Sequence, residues 1–172
     1  PENWKNKQVF LHVGAAKSSL DVWLNGKKVG FSQGAKTPAE FNLTPYLQDN
    51  ENLLAFQIRR WTDASFLESQ DMLRISGIER DVYLFATEAQ HIFDFHAQPK
   101  LNKDFTQGEL TVDVTVENFQ KATEARLVEY KLLDPRKGMK PVLKGQKKVT
   151  LSSGKSTEVS LASKLDNPAL WT

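Results

Sequence analysis

The chain has 172 residues with 9 Gly, 7 Pro and no Cys, and its 40% hydrophobic and 26% charged content is that of an ordinary globular protein. Collagen-like, disordered and disulfide-stapled classes are excluded, and the lack of thiols removes thiolate zinc sites without fixing the compartment. With 23 basic and 21 acidic side chains the net charge is +2, too balanced for a phosphate-backbone partner, so no nucleic acid is expected. No apolar run approaches the roughly 20 residues that span a bilayer, so no membrane is expected either, and the opening Pro1-Glu2-Asn3-Trp4 lacks the apolar core of a secretory signal. A start without Met and an apolar finish on Leu170-Trp171-Thr172 read as a piece of a longer protein.

In chain order, Gln8 to Val13 is the first strand candidate. Leu20 to Leu24, then Asn25-Gly26, then Lys27 to Phe31 predicts a tight hairpin, because Asn-Gly readily takes the positive φ angles of a type I′ turn. A turn is expected at Thr44-Pro45-Tyr46-Leu47 and a strand from Asn52 to Arg60. The long stretch Arg59 to Asp81 is neither periodic nor a simple turn, and it leads into strands at Asp81 to Phe85 and His91 to Ala97. Glu109 to Glu117 alternates strictly, with Leu110, Val112, Val114 and Val116 on one face. Ala125 to Leu133, Gln146 to Leu151 and Thr157 to Leu161 complete the strands, and no long amphipathic helix is found. Many short strands between turn signals predict an all-β fold of packed antiparallel sheets. Irregular, aromatic sequence gives way to regular alternation near Thr87, which places a boundary between residues 1–87 and 88–172. The run Lys144-Gly145-Gln146-Lys147-Lys148 reads as a solvated strand.

Function is expected in the acid-, Arg- and aromatic-rich loop, since rings and fixed carboxylates suit the two faces of a sugar. Its bland reading is a set of ion pairs in which Asp63, Glu68, Asp71 and Asp81 meet Arg59, Arg60, Arg74 and Arg80 and pin the loop. A glycosidase acid and nucleophile drawn from Asp63, Glu68 and Asp71 is disfavoured, because arginine neighbours lower the pKa that a general acid needs raised. His12, His91 and His96 are dispersed, without metal-site spacing, and no Gly-x-Ser-x-Gly elbow or phosphate-cradling loop is present. Trp61, ending a strand, suits packing better than sugar stacking.

These residues carry a resemblance. Val22-Trp23-Leu24-Asn25-Gly26 with Val29-Gly30, Pro38-Ala39-Glu40-Phe41-Asn42-Leu43, Glu51-Asn52-Leu53-Leu54-Ala55, the run Arg60 to Met72, and Arg74 to Val82 are similar to the non-catalytic N-terminal part of bacterial β-galactosidases of glycoside hydrolase family 2. Asp94-Phe95-His96 and Asn167-Pro168-Ala169-Leu170-Trp171 extend the likeness to most of the chain. The resemblance implies the later portion of a sugar-binding jelly roll over 1–87 and an immunoglobulin-like sandwich over 88–172. A catalytic TIM barrel would follow in the parent, holding the two glutamates of a retaining mechanism, so the segment alone is expected to be inactive. A jelly roll entered part-way would leave open strand edges, with swapping or dimerisation of the isolated module as the consequence.

The resemblance carries one substrate-site residue. Asp63 in Trp61-Thr62-Asp63-Ala64-Ser65 matches the aspartate of the family's Trp-Ser-Asp-Gly-Ser motif, which ligates sodium and contacts the galactosyl 6-hydroxyl, tasks that suit a hard, acceptor-only carboxylate. Thr62 and Ala64 depart from the motif, and Ala64 would oppose a positive-φ turn where the family has Gly. Arg74, Gly77, Arg80 and Asp81 are expected to structure the return of the loop. The magnesium ligands and the remaining sodium ligands would lie on other domains, the parent would be a homo-oligomer acting on β-galactosides such as lactose, and the bacterial cytoplasm and periplasm both stay open. The alternatives are a stand-alone carbohydrate-binding module, a purely structural or adhesive sandwich pair, and a relative acting on glucuronides or mannosides.

Overall fold

The computed structural model describes residues 1–68, 70, 71 and 73–170. Ser69, Met72 and the closing Trp171 of the resemblance therefore lie outside the described residues. The chain divides into two compact units, the first running Pro1–Glu88 and the second starting at Ala89.

The first unit is built from β1 (Gln8–Val13), β2 (Ala16–Lys17), β3 (Ser19–Leu24), β4 (Lys27–Gln33), β5 (Ala39–Asn42), β6 (Leu54–Arg59), a five-residue helix α1 (Asp63–Leu67), β7 (Gly77–Ile78) and β8 (Val82–Thr87). Two antiparallel sheets, ordered β5-β1-β8 and β4-β3-β6, pack through Leu11 and Val13 of β1 and Leu20, Val22 and Leu24 of β3, with Leu43, Phe41, Phe56 and Ile58 around them. These are the inward positions of the period-two pattern. The third pairing, β2 with β7, closes the long loop. Asn25 (φ 53) and Gly26 (φ 75) make the predicted hairpin turn. The Asn25 side chain also holds the neighbouring loops, donating to Tyr46 O at 3.0 Å and Asn52 Oδ1 at 2.8 Å while accepting from Leu53 N at 2.9 Å. Each outer strand, β5, β8, β4 and β6, pairs on one side only among the described residues.

The outward face of β3 carries a buried charge. Asp21 is 1% exposed and meets Lys28 Nζ of β4 at 2.7 Å and the Arg59 guanidinium of β6. The Lys28 hydrogen bond, with that of Arg59 behind it, holds the carboxyl below its ordinary value against the opposing effect of burial.

The second unit contains β9 (Gln90–Leu101), β10 (Gln107–Asn118), β11 (Glu124–Asp134), β12 (Lys140–Leu151) and β13 (Ser156–Asp166). One sheet is ordered β13-β10-β9 and the other is the pair β11-β12. Val112, Val114 and Val116 of β10 cluster with Val159 and Leu161 of the neighbouring β13 and with Val128 and Leu151 of the other sheet, as the alternation requires. Several strands run beyond their expected ends. β9 passes through Pro99 and β12 through Pro141, and both are edge strands, where a missing N–H leaves no unpaired partner.

Candidate functional site

The loop after β6 is anchored by hydroxyls. Ser18, fully buried after β2, donates its N–H to Arg59 O at 3.1 Å, and its Oγ bonds Thr62 Oγ1. Thr62 caps α1; its N–H donates to Ser65 Oγ at 2.9 Å, and Ser65 Oγ in turn donates to Arg60 O at 2.9 Å. Ser65 N donates to Thr62 O at 3.0 Å and Glu68 N to Ala64 O at 2.9 Å, closing the helix. A hydroxyl at the cap and another three residues on satisfy donors that a helix start leaves bare.

This turn places Asp63 at the first helical position with an exposed side chain. Oδ1 accepts from Gln33 Nε2 at 2.8 Å and from Ala64 N at 3.0 Å, while Oδ2 has no partner among the described residues. Ala64 lies inside the helix and is not among the positive-φ residues, so Ala in place of Gly strains nothing here. Glu68 ends the helix, and both its oxygens accept from Ala35 N at 3.2 Å.

The expected ion-pair set does not form. None of Asp63, Glu68, Asp71 and Asp81 pairs with Arg59, Arg60, Arg74 or Arg80 among the described residues. Arg59 alternates toward the outward face of its strand and is taken by Asp21. The Arg60 guanidinium sits 5.1 Å from the Trp61 ring. Trp61 itself is 60% exposed rather than part of the core, and with Ser65, Phe66, Gln70 and Arg74 it lines an open hollow.

The return of the loop is held mainly by backbone. Lys17 and Ala16 pair with Gly77 and Ile78, Gly77 adopts φ +122, and Lys17 Nζ donates to Leu73 O at 2.9 Å. Arg80 donates to Lys36 O at 3.1 Å, beside the Lys36–Glu79 ion pair. Asp81 contributes its carbonyl, which accepts from Gly14 N at 3.0 Å, and a Cβ at Gly14 would stand 2.9 Å from Arg80 Cβ. Arg74 makes no hydrogen bond within the described residues.

Sequence reasoning passed over Gln33 and Ala35, whose contacts with α1 span 30 and 33 positions. Two of the histidines have side-chain partners: His12 Nδ1 lies 2.8 Å from Glu40 with Tyr83 stacked at 4.5 Å, and His91 stacks on Phe119 at 5.9 Å. No group of three or more His, Asp or Glu side chains is arranged to hold a metal among the described residues. Asp63 alone offers one free hard oxygen, which fits a part of a cation site shared with other residues and not a site in itself.

The fold and this loop define a tandem pair of antiparallel β units whose first member presents a fixed carboxylate on a short capped helix. Residues 1–88 match the family description "Glycosyl hydrolases family 2, sugar binding domain" and residues 90–172 match "Glycosyl hydrolases family 2". The chain belongs to glycosyl hydrolase family 2. It is 39% identical to a beta-galactosidase of Priestia megaterium over 170 residues, 98% of this chain and 16% of that protein. It is 41% identical to the beta-galactosidase large subunit of Leuconostoc lactis over 113 residues, 66% of this chain and 18% of that one. Among solved structures it resembles the Bacteroides uniformis beta-glucuronidase with a TM-score of 0.85 at 27% identity, covering 100% of this chain and 21% of that one. The chain thus spans about a sixth of the length of the first of these relatives.

Proposed function

We propose that this chain is a non-catalytic, substrate-completing part of a β-galactosidase that cleaves terminal β-D-galactosides by a retaining double displacement. The catalytic glutamates and the magnesium site belong to a barrel elsewhere in the parent, which the two β units buttress, and the segment alone is inactive. Asp63 supplies an edge of the galactose subsite. Its open Oδ2 accepts a sugar hydroxyl and shares a sodium ion with ligands from other domains. The observation that carries the reading is the Asp63 carboxylate itself: one oxygen is anchored, the other is open, and the helix bearing it is bolted to the sheet by Ser18, Thr62 and Ser65. The two β-galactosidase relatives support the choice of substrate.

In the full-length enzyme that carries this chain, Asp63→Ala is expected to lower kcat/KM for p-nitrophenyl β-D-galactoside at least tenfold and to flatten the response to sodium, because a site built to bond a hydroxyl loses much when the bond goes. Unchanged kinetics and sodium response would remove Asp63 from the site. A second reading, a glucuronide substrate, is favoured by the likeness to the Bacteroides uniformis enzyme. Turnover of the p-nitrophenyl glucuronide in preference to the galactoside decides for it.

A further inference from the structure

Two residues at the end of the hairpin and just beyond it grip α1 at both ends. Gln33, the last residue of β4, donates from Nε2 to Asp63 Oδ1 at 2.8 Å at the start of the helix. Two residues on, the buried Ala35 donates its N–H to both oxygens of Glu68 at its end. The two contacts do different things. The Glu68 contact holds the helix as a body, whereas Gln33 touches the carboxylate that faces out.

A side-chain amide is a neutral donor. An Arg or Lys in its place would orient the carboxylate but also satisfy its charge, drawing it away from any hydroxyl or cation presented to it. Gln33 occupies one oxygen only, and the Ala64 N–H bonds that same oxygen, so both constraints leave Oδ2 open among the described residues. Without Gln33 a lone exposed carboxylate rotates about its χ angles with only the bond from the adjacent Ala64 N–H to hold it.

We propose that Gln33 is a positioning residue for Asp63, setting the affinity of the parent enzyme for its glycoside through the carboxylate's orientation without touching the sugar. The inference rests on the role assigned to Asp63 above. It is tested in the full-length enzyme with Gln33→Ala, Gln33→Glu, Asp63→Ala and the double variant Gln33→Ala/Asp63→Ala. Gln33→Ala is expected to raise KM for p-nitrophenyl β-D-galactoside by about five- to tenfold with kcat changed less than about twofold, the loss of one charge-assisted bond that ordered a binding group. Gln33→Glu removes the donor and sets a second, repelling carboxylate against Oδ1, so its KM should rise at least as far as that of Gln33→Ala. In the Asp63→Ala background, Gln33→Ala should cost nothing further.

An additional loss in that background, or a fall in kcat equal to the fall in kcat/KM, assigns Gln33 a merely structural role and overturns the proposal. Gln33→Ala kinetics like those of the unmodified enzyme, beside an impaired Asp63→Ala, overturn it while leaving Asp63 in the site. An unimpaired Asp63→Ala removes both readings together. Gln33 is exposed, so an unchanged thermal midpoint is expected for each of its variants.

Discussion

Ser65 is the centre of the loop's anchorage, and Ser65→Ala measures what that anchorage contributes. The hydroxyl accepts from Thr62 N and donates to Arg60 O, each at 2.9 Å, and the side chain is 4% exposed. Ala keeps the Cβ and removes only Oγ, so the void left is a single atom and the cavity contribution is small. Two intramolecular bonds at a net of about 1 kcal/mol each sum to about 2 kcal/mol, the upper end of the range for losing a helix cap. Thr62 is only half-buried, so water can reach its bared N–H and keeps the penalty from going higher. The helix hangs from a sheet that does not need it, so the cost falls on local opening rather than global unfolding. A penalty of 2 kcal/mol is close to a thirtyfold change in an equilibrium constant, at about 1.4 kcal/mol per factor of ten. Hydrogen exchange followed by mass spectrometry should therefore show the amides of Ser65 and Glu68, which bond Thr62 O and Ala64 O, exchanging about thirtyfold faster in the variant. Ser18→Ala, which removes a single hydroxyl partner of Thr62, should show a smaller acceleration. Exchange in Ser65→Ala within threefold of the parent sequence would refute the claim that the hydroxyl bridge holds the loop.

The remaining predictions concern the two units as folded bodies. Asp21 has its pKa lowered by Lys28 and Arg59, so its stabilising contribution is complete above about pH 4, the unfolded value, and disappears as pH falls through the lower folded value. The thermal midpoint of the first unit should accordingly drop more steeply below about pH 4 than that of Asp21→Asn, and parallel acid profiles for the two proteins would contradict the pairing. In the second unit the Tyr130 ring lies on Gly145 across the β11–β12 pair, so that a Cβ there would stand 2.3 Å from Tyr130 Cε1. Gly145→Ala should destabilise by about 1–3 kcal/mol in urea titration, and should become neutral or better once Tyr130 is replaced by Ala; destabilisation that persists in that background would place the strain elsewhere.

How much of this was legible in the sequence depended on how far apart the interacting residues lie. The Asn25-Gly26 turn and the alternation of Leu110, Val112, Val114 and Val116 are local patterns, and both appear in the structure as read. The bond from Asn25 to Asn52 is not local, and nothing at either position signals it. β5 escaped notice because four residues after a proline offer little periodicity, and its strand character comes from pairing with β1. α1 is a single short turn with no room for a 3.6-residue repeat, although Thr62 with Asp63 and Ser65 carries a cap signal that could have marked its start. The expected pairing of loop acids with loop arginines failed for a geometric reason. Neighbours along a strand point to opposite faces, so Arg59 leaves the loop for Asp21, 38 positions earlier, and the acids find backbone and amide donors in its stead.

That substitution of partners bears on what the loop can do. Arginines on Asp63 and Glu68 would have held the loop and consumed its charge together. The observed arrangement separates the two tasks, with Ser18, Thr62, Ser65 and the Ala35 N–H holding the helix and a neutral amide steering Asp63. The polarity of the segment is also inverted relative to a core: its small hydroxyl residues face inward, while Phe66 at 83% and Leu67 at 85% exposure face out. An isolated surface turn gains nothing from a buried network of bonds beneath exposed apolar side chains, because ordering it costs conformational entropy that those side chains do not return in water. A recognition element inside a larger enzyme gains preorganisation, since a carboxylate already aimed at its target pays none of that cost at the moment of binding. On the role proposed for Asp63, the Ser65, Gln33 and Asp63 variants probe successive links of that chain, from the helix to the orientation of the carboxylate to the sugar. Their effects should therefore collapse onto one another when combined in the full-length enzyme.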